Sequence, residues 1–332
     1  MVDDGVASAR PKIDTVTDPT ASPSAAPAKP SRNGLVAAAT AYILWGFLPA
    51  YFVALSPVGP FEIVAWRILF ALAFCLLLLT VTRAWKPFIV ILRRPRTVLL
   101  MGVAGLLIFV NWQTFIFGTL TGHVVETALG YFINPIVTVF LGVLVLRERL
   151  RPLQWVAVGI SIVAVVVLTI GYGSLPWIAL VLAASFGTYG LIKKQVGGEV
   201  DAMSGLTLET AWLVPVAVVE LAIVGATTGL VFGSAGALNT TLVVASGAIT
   251  AIPLLLFAAA ASRLPLTVIG FVQYIAPILQ FLYGVFLLRE PMPPERWFGF
   301  AIVWVALAVL SFDLLRAGAR SRRSAAILEP AP

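Results

Sequence analysis

Long apolar runs separated by short polar segments organise this chain. Each run is about 20 residues long, which is the length that an α-helix needs to cross the hydrocarbon core of a bilayer. The short segment 171–174 divides two of the runs, because a single helix across both would be far too long to span a bilayer once. The pattern therefore predicts ten transmembrane helices, at about 34–54, 61–82, 97–119, 124–146, 153–171, 175–193, 203–225, 241–261, 266–288 and 297–315.

Composition supports a membrane protein. Of the 332 residues, 60% are hydrophobic and 11% are charged, and the mean hydropathy is +1.00. A soluble domain carries about 25% charged residues, so this chain has too little polar surface to face water on all sides. The single cysteine, Cys75, excludes a disulfide or a multi-thiolate metal site within one chain. We therefore expect an all-α polytopic membrane protein with no cofactor and no metal centre.

Both ends of the chain differ from the apolar runs in composition. Residues 1–32 are rich in Pro, Ala, Ser and Thr, and they cannot bury enough apolar surface to become ordered. They also lack the positively charged start and the directly following apolar run of a signal peptide. We expect residues 1–32 and 317–332 to form solvated cytoplasmic tails.

Lysine and arginine are distributed unevenly between alternate connections. If the N-terminus is cytoplasmic, 19 basic residues lie on the cytoplasmic side and only two, Arg289 and Arg296, lie on the other side. Such a bias across short loops sets the orientation of a membrane protein, so both termini are predicted to be cytoplasmic. Because the basic residues lie in short loops beside the lipid bilayer, the net charge of +7 is accounted for by membrane orientation and does not indicate a nucleic-acid partner.

One stretch of the sequence occurs twice. Residues 133–155 and 275–297 align without a gap at an offset of 142 positions, with ten identities in 23 positions. The offset carries the fourth predicted helix onto the ninth, so each repeat has five helices, and this odd number inverts the second copy in the membrane. The predicted fold is therefore two inverted five-helix repeats, at 33–172 and 173–316. Such repeats allow one half to rock against the other around a site near the midplane.

Several motifs occur in the order and at the spacing of a known family: YILWGFLPAYF, PFEIVAWRILF, NWQTFIF, GHVVETALGYFINPIV and TLETAWLVP. On these motifs, the chain from Gly34 to Asp313 resembles the RarD-type permeases of the EamA family, in the drug/metabolite transporter superfamily. The resemblance implies a ten-helix permease of the bacterial inner membrane, in a family whose name is associated with chloramphenicol sensitivity. One departure is Trp66, which stands where the family usually has histidine before the arginine of the second helix.

Arg67 is the clearest ionisable residue inside a span, about 9 Å down the second span at 1.5 Å per residue. Such a residue is costly unless it is paired or hydrated, so it marks a functional site by default. Arginine stays charged, so it can hold an anionic substrate or a carboxylate but cannot shuttle a proton. Glu126, at the start of the fourth span, is its predicted partner, in preference to Glu62 on the same helix. A substrate site and a structural ion pair between helices two and four are both open interpretations.

Amide and aromatic side chains accompany Arg67 in the same half of the membrane. Asn111 and Trp112 lie in the third span, and His123 precedes Glu126 by three residues on one helix face. These last two residues have the spacing of metal ligands, but the chain has only one histidine. We therefore favour an interfacial histidine capped by Glu126 over metal binding or proton sensing.

Two carboxylates lie on the seventh span. Glu209 and Glu220 are eleven residues apart, so they face one direction, and that direction is not lipid. A buried carboxylate is able to take up and release a proton near neutrality. Glu209, in the TLET motif, is therefore the candidate for a coupling or substrate role, and Glu220 is interpreted as an interface residue.

Prolines interrupt the fourth and ninth spans at equivalent positions of the repeat. Pro135, after Asn134, and Pro277 lack the backbone N–H that a helix needs, so the hydrogen-bond ladder of both spans is predicted to break there and to free carbonyl groups. Free carbonyls at that depth are tolerated only against protein or a water-filled cavity, which points to the transport site. An amide in this region equally serves to link two helices. Three further polar residues lie there: Tyr131, Gln273 and Tyr274.

These features favour a secondary permease that moves a small metabolite or drug by alternating access, with protons as the candidate coupling ion. A membrane-embedded enzyme would need a nucleophile–base pair or a metal constellation, and His123 with Glu126 is the nearest approach to one. A channel is disfavoured because an inverted repeat builds a rocking bundle rather than a ring of subunits. The sequence does not decide the identity of the substrate, the direction of flux or whether the protein forms a homodimer. The candidate site residues are Arg67, Asn111, Trp112, Glu126, Tyr131, Asn134, Glu209, Gln273 and Tyr274.

Overall fold

The chain folds into a bundle of helices. The computed structural model describes residues 31–146, 150–196 and 199–328, so positions 1–30 of the first predicted tail and 329–332 of the second lie outside the described residues. Within these ranges the chain forms thirteen α-helices and one π-helical turn, Tyr283–Leu287, and no β-strand. The helices are α1 (Arg32–Gly46), α2 (Leu48–Ala54), α3 (Pro60–Val81), α4 (Trp85–Leu92), α5 (Pro95–Leu120), α6 (Val124–Leu146), α7 (Pro152–Tyr172), α8 (Trp177–Val196), α9 (Ala202–Thr227), α10 (Ala237–Ala261), α11 (Leu266–Val272), α12 (Ile275–Leu282) and α13 (Pro294–Leu328).

Nine stretches among the described residues are long and apolar enough to cross a bilayer, judged by length and composition. α1 and α2 together form one of them, and α11, α12 and the π-turn form most of another. α8 is also 20 residues long, but it is less apolar and ends with Lys193 and Lys194. With α8 the bundle has the ten crossings that the sequence predicts. The chain is therefore an all-α polytopic membrane protein.

The two halves of the chain repeat the same helix spacing. Four helices of the first half begin 142 positions before four helices of the second half. The pairs are α3 with α9, α5 with α10, α6 with α11, and α7 with α13. Because the spacing is kept over four consecutive helices, the repeat extends well beyond the 23 aligned positions that revealed it.

Helix packing follows the same relation. α5 packs on α8 as α10 packs on α1, and α6 packs on α8 as α12 packs on α1. Three further pairs join equivalent helices across the halves: α3 with α9, α6 with α12, and α7 with α13. The start of α3 lies beside the segment that follows α9, since Glu62 accepts hydrogen bonds from the N–H groups of Val231 and Phe232. α3 and α9 therefore run antiparallel, as inverted repeats require.

The apolar core has two main parts. One lies between α2, α3, α5, α8, α9 and α10, and the other lies between α6, α7, α8, α12 and α13. α3 and α10 approach closely at Gly247, where an added Cβ would overlap the backbone carbonyl of Phe70. Only glycine permits this approach, which places α10 against the turn of α3 that carries Arg67.

Two predicted spans are divided into separate helices. The first span is divided at Phe47 into α1 and α2, and the ninth is divided at Gln273 and Tyr274 into α11 and α12. Pro277 accounts for the second division, because its nitrogen cannot donate to the carbonyl of Gln273 one turn earlier. At Pro135 the span is not divided, since α6 continues through this residue as one helix, although the proline has no N–H to donate to the ladder. Equivalent prolines therefore have different effects, and the local sequence alone does not decide them.

The structure also contains a short helix that the search for spanning runs missed. α4 has eight residues and connects α3 to α5. Eight residues are too few to cross a bilayer, so α4 was not predicted from the long apolar runs of the sequence. The last helix differs as well, because α13 continues to Leu328, past the predicted end at 315.

Candidate functional site

Arg67 lies two turns into α3, at the contact between the two halves. It is 5% exposed, and its Nε donates a hydrogen bond of 2.7 Å to Oγ1 of Thr250 on α10. Its Cζ lies 4.2 Å from the ring centroid of Trp112 and 5.5 Å from that of Phe52. A cation above an aromatic face is stabilised by the electron density of the ring. The guanidinium is therefore held by one hydroxyl and two rings, which leave its terminal nitrogens to bind another group.

The predicted carboxylate partners of Arg67 are engaged elsewhere. No carboxylate of the described residues lies within ion-pair distance of Arg67. Glu126 instead accepts hydrogen bonds from the N–H groups of Ile178, at 2.9 Å, and Ala179, at 3.4 Å, in the first turn of α8. Glu62 binds the backbone after α9 and also accepts a hydrogen bond from the indole of Trp66. The predicted ion pair with Glu126 is therefore wrong, because carboxylates at helix starts satisfy free N–H groups.

A polar network lies next to the Arg67 site. Asn111 Nδ2 donates to the carbonyl of Leu182 and to Oγ of Ser185, both at 3.1 Å, and so joins α5 to α8. The hydroxyl of Tyr131 donates to Oδ1 of Asn111 at 2.9 Å, which adds α6. Tyr131 is close enough to Arg67 to interact with it electrostatically. The structure thus brings together four predicted site residues: Arg67, Asn111, Trp112 and Tyr131.

Glu209 belongs to a second polar cluster. Its carboxylate forms an ion pair of 2.9 Å with Nζ of Lys193 on α8 and accepts weaker hydrogen bonds from the hydroxyl of Tyr189. The carboxylate side chain is 2% exposed, whereas that of Lys193 is 28% exposed. Glu209 is therefore a buried but neutralised charge, and Lys193 links it to the more accessible end of α8.

The repeat relates these two clusters. Arg67 and Glu209 are 142 positions apart, as are Tyr51 and Lys193. Tyr51 lies in the electrostatic neighbourhood of Arg67, as Lys193 does in that of Glu209. Cys75 on α3 contacts Thr207 on α9, so Arg67 and Glu209 are separated by about 9 Å along the bundle. The two halves thus place opposite charges at equivalent positions, a relation that sequence reasoning missed although the offset was known.

Three other predicted site residues lie apart from Arg67. Gln273 donates to the carbonyl of Gly270 within its own helix, and Tyr274 hydrogen-bonds Ser311 of α13. Both residues lie at the division between α11 and α12. Asn134 is one turn from Tyr131 on α6, and its Oδ1 is buried without a hydrogen-bond partner among the described residues. Asn134 is therefore a polar group available to a substrate or to water on the same helix as Tyr131.

Several residues of both clusters were missed by sequence reasoning. Tyr51 and Phe52 read as part of an apolar run, and Lys193 as one of the charges that set orientation. Thr250 gave a weak signal, because Ser246 and Thr250 are four residues apart in an otherwise apolar run. Such positions become functional candidates only when the packing of the helices is known.

His123 and Glu126 do not form a metal site in this arrangement. His123 is exposed, and its Nδ1 lies 3.0 Å from Oγ1 of Thr121. Among the described residues, no three of the side chains His, Cys, Asp and Glu are close enough together to hold a metal ion. His123 therefore contributes to a helix-start turn beside Glu126.

A carboxylate joins the two halves at the end of the bundle where α6 begins. Glu290, after the π-turn, accepts hydrogen bonds from the N–H groups of Val124, at 2.6 Å, and Val125, at 2.9 Å. Burial raises the pKa of the Glu290 carboxyl, whereas the two N–H donors act in the opposite direction. Gly284 lies against the same two valines, so the π-turn packs closely on the start of α6. This contact closes one end of the seam between the halves.

A carboxylate at the other end is more accessible. Glu199 accepts a hydrogen bond from Thr97 and pairs with Arg94 at 3.1 Å, and both contacts lower its pKa. A cavity of about 600 Å³ opens here between α4 and the start of α9. It is lined by Pro87, Val90, Ile91, Arg94, Glu199, Val200 and Asp201.

Comparisons with known proteins agree with this architecture. The EamA-like transporter family matches residues 32–170. The chain is 47% identical to Protein RarD of Streptomyces exfoliatus, over 88% of this chain and 92% of that protein. It is 40% identical to Protein RarD of Escherichia coli K12, over 87% of this chain and 97% of that protein. A solved crystal structure that is 18% identical superposes with a TM-score of 0.56, over 86% of this chain and 98% of the other, which supports the fold alone.

Identity of this extent over nearly the whole length shows the family, and the ten crossings in two inverted halves fit its fold. Family membership points to a transporter rather than an enzyme. The similarity also covers both halves of the chain, including the turns that carry Arg67 and Glu209. The chain therefore belongs to the EamA-like transporter family and is a RarD-type permease of the bacterial membrane.

Proposed function

We propose that this protein is a secondary permease that moves a small organic solute across the bacterial inner membrane by alternating access. Its two halves, which we place at 33–172 and 173–316, rock against each other and expose the seam between them to each side in turn. The excess of basic residues in alternate connections supports a cytoplasmic position for both termini and for the tails 1–32 and 317–332.

The observation that carries the proposal is the buried guanidinium of Arg67. It lies between α3 and α10, which belong to different halves, and no carboxylate of the described residues neutralises it. Burying a charge without a counter-ion costs on the order of several kcal/mol. A structural role would be served better by an ion pair or an apolar side chain, so the uncompensated charge supports binding of an anionic group.

The surroundings of Arg67 define the chemical class of the solute. The guanidinium fork suits a carboxylate, which it binds with two parallel hydrogen bonds. The rings of Trp112 and Phe52 supply an apolar wall, and Asn111 with Tyr131 supplies polar groups beside it. A small amphipathic carboxylate with an apolar body fits these three features.

Binding is tested first, with defined probes. The full-length protein in detergent is exposed to a panel of aliphatic, aromatic and N-acylated carboxylates, and to chloramphenicol, and thermal unfolding is followed. We expect amphipathic carboxylates to raise the unfolding temperature, since a ligand that binds only the folded state stabilises it. Carboxylates that stabilise are then tested as radiolabelled substrates in liposomes.

The matched control removes an arginine just after the end of α10, roughly 20 Å along the helix from Thr250 at 1.5 Å per residue. Arg263 is exposed and donates to the carbonyl of Ala259 in the last turn of α10, so Arg263→Gln removes the same charge without touching the site. We expect Arg67→Gln to abolish carboxylate stabilisation and uptake, and Arg263→Gln to retain both. Equal binding and uptake in the two variants would refute a substrate role for Arg67.

We further propose that Glu209 couples transport to protons. Its ion pair with Lys193 holds α9 to α8, and protonation of the carboxylate would release the lysine. Loss of a buried ion pair costs about 3–5 kcal/mol when one charge remains, which is enough to shift a conformational equilibrium between two states. A protonation event at Glu209 would thus change the contact between the two helices.

The pH profile of uptake tests this coupling. Glu209→Gln is expected to remove the pH dependence of uptake, because a glutamine does not titrate. Glu220→Gln is the matched control, since Glu220 lies on the same helix face and makes no ion pair with the described residues. If Glu209→Gln retains the wild-type pH profile, Glu209 does not couple transport to protons.

A further inference from the structure

Helix α4 has two distinct apolar faces. Phe88 and Ile91 are buried against the bundle, in a cluster with residues of α3, α5 and α9. Trp85, Ile89 and Leu92 share another face and are 38%, 45% and 46% exposed. At about 100° per residue, the exposed apolar face lies roughly a quarter-turn from the buried one. The helix therefore presents apolar side chains that the bundle does not cover.

A third face of α4 is basic. Lys86 within the helix and Arg93 just after it are seven residues apart, so they share a side, roughly a quarter-turn beyond the exposed apolar face. Arg83 precedes the helix in a left-handed turn, with φ of 55°. All three side chains are exposed, and none of them bonds a described residue, in contrast to Arg94, which pairs with Glu199.

The equivalent connection in the second half lacks these features. α3 and α5 begin 35 positions apart, as do α9 and α10, so the two connections occupy equivalent places in the repeat. Residues 228–236 contain no lysine or arginine and form no helix. Their N–H groups at Val231 and Phe232 bind Glu62, which folds the segment onto the bundle. The basic helix is therefore specific to one end of the molecule rather than a consequence of the repeat.

We propose that α4 lies in the plane of the membrane interface and that Arg83, Lys86 and Arg93 bind the phosphate group of an anionic phospholipid. The side chains of Trp85, Ile89 and Leu92 enter the acyl region beside that headgroup. A short helix with adjacent apolar and basic faces fits the boundary between headgroups and acyl chains, where each face meets its preferred surroundings. The opposite charge of the lipid phosphate compensates the three unpaired cations.

Lipid binding to the full-length protein tests the proposal. The wild type and the variant R83Q/K86Q/R93Q are purified, and binding of phosphatidylglycerol and phosphatidylcholine is measured by titration with native mass spectrometry. We expect the wild type to prefer phosphatidylglycerol and the variant to bind it roughly a hundredfold more weakly, at about 1 kcal/mol for each basic side chain. Higher ionic strength should weaken phosphatidylglycerol binding by the wild type only.

A second triple variant controls for net charge. R32Q/R263Q/R289Q removes the same number of exposed arginines away from α4. We expect its affinity for phosphatidylglycerol to stay within about threefold of the wild type, because the local site on α4 remains intact. Equal weakening in both variants would mean that net charge attracts the lipid, and unchanged affinity in R83Q/K86Q/R93Q would remove these residues from the site.

The position of α4 is tested separately by fluorescence. The difference between the wild type and Trp85→Phe reports the emission of Trp85 in bilayers. We expect this emission to be quenched by lipids brominated near the headgroup and to be protected from aqueous iodide. Quenching by iodide and not by brominated lipid would place α4 in water and overturn the proposal, irrespective of the lipid affinities.

Discussion

Replacement of Arg67 by methionine separates a substrate site from a structural ion pair. Methionine has an unbranched side chain that reaches about as far as the Nε of arginine, and it can fill part of the space between the rings of Trp112 and Phe52. The substitution removes a cation–π contact worth about 2 kcal/mol. It also removes a charged hydrogen bond to Thr250 worth about 1.5–3 kcal/mol. These losses are offset by relief of the burial cost of an uncompensated ion, which is several kcal/mol in order of magnitude.

The two sides of this balance nearly cancel, so we expect the free energy of unfolding to change by no more than about 2 kcal/mol. The unfolding temperature should therefore stay within about 8 °C of the wild type, at about 2–4 °C per kcal/mol. Transport should fall at least about a hundredfold, because two charge-assisted hydrogen bonds to the solute are lost. Arg67→Lys keeps the charge but not the fork, so its loss of transport should be intermediate.

Thermal unfolding of purified protein and initial rates of uptake in liposomes measure the two effects. A structural ion pair would give a different result, since removing one partner of a buried pair costs about 3–5 kcal/mol. A fall in the unfolding temperature of more than about 10 °C in Arg67→Met, recovered in Arg67→Lys together with transport, would therefore refute the assignment of Arg67 to a substrate site.

Two further substitutions test the packing and the end contact of the bundle. Gly247→Ala should lower the unfolding temperature, because the added Cβ overlaps the carbonyl of Phe70. Gly190→Ala, where a Cβ meets nothing within 4 Å, is its control and should leave that temperature unchanged or raise it. Burial raises the pKa of Glu290 above its usual value of 4.5, so its contribution to stability is full below that value and is lost as the pH rises through the raised pKa. Glu290→Gln should therefore show a smaller fall in unfolding temperature between about pH 4.5 and neutrality than the wild type does, and an equal fall would contradict the burial of this carboxyl.

Most of the helices could be predicted because the bilayer imposes a length on each apolar run. The starts of α3, α5, α6 and α7 lie within about two residues of the predictions, and proline occupies the first position in three of them. α4 was not predicted from the length of the apolar runs, because a helix of eight residues suits a membrane interface and is too short to cross a bilayer.

The partners of the charged residues could not be predicted in the same way. Arg67 and Glu126 are both buried, and the sequence places both in the same half of the membrane, so their pairing was a reasonable hypothesis. In the structure, Glu126 accepts a hydrogen bond from the first turn of α8. Arg67 donates to a hydroxyl of α10 because α3 packs on α10 and α9. The partner of each charged side chain depends on the rotation of its helix about the helix axis. An almost uniformly apolar sequence does not determine that rotation.

The repeat creates symmetry in the backbone but not in the charges, and this difference bears on direction. Glu209 is neutralised by Lys193, whereas the equivalent neighbour of Arg67 is the uncharged Tyr51. In the proposed mechanism, a rocking motion exchanges the shapes of the two halves, but it cannot exchange these side chains. The two proposed access states would therefore differ in how a cation and a neutral ion pair meet water and solute. We expect an anionic solute that compensates Arg67 to change the balance between those states, which would link binding to movement in a permease built from equal halves.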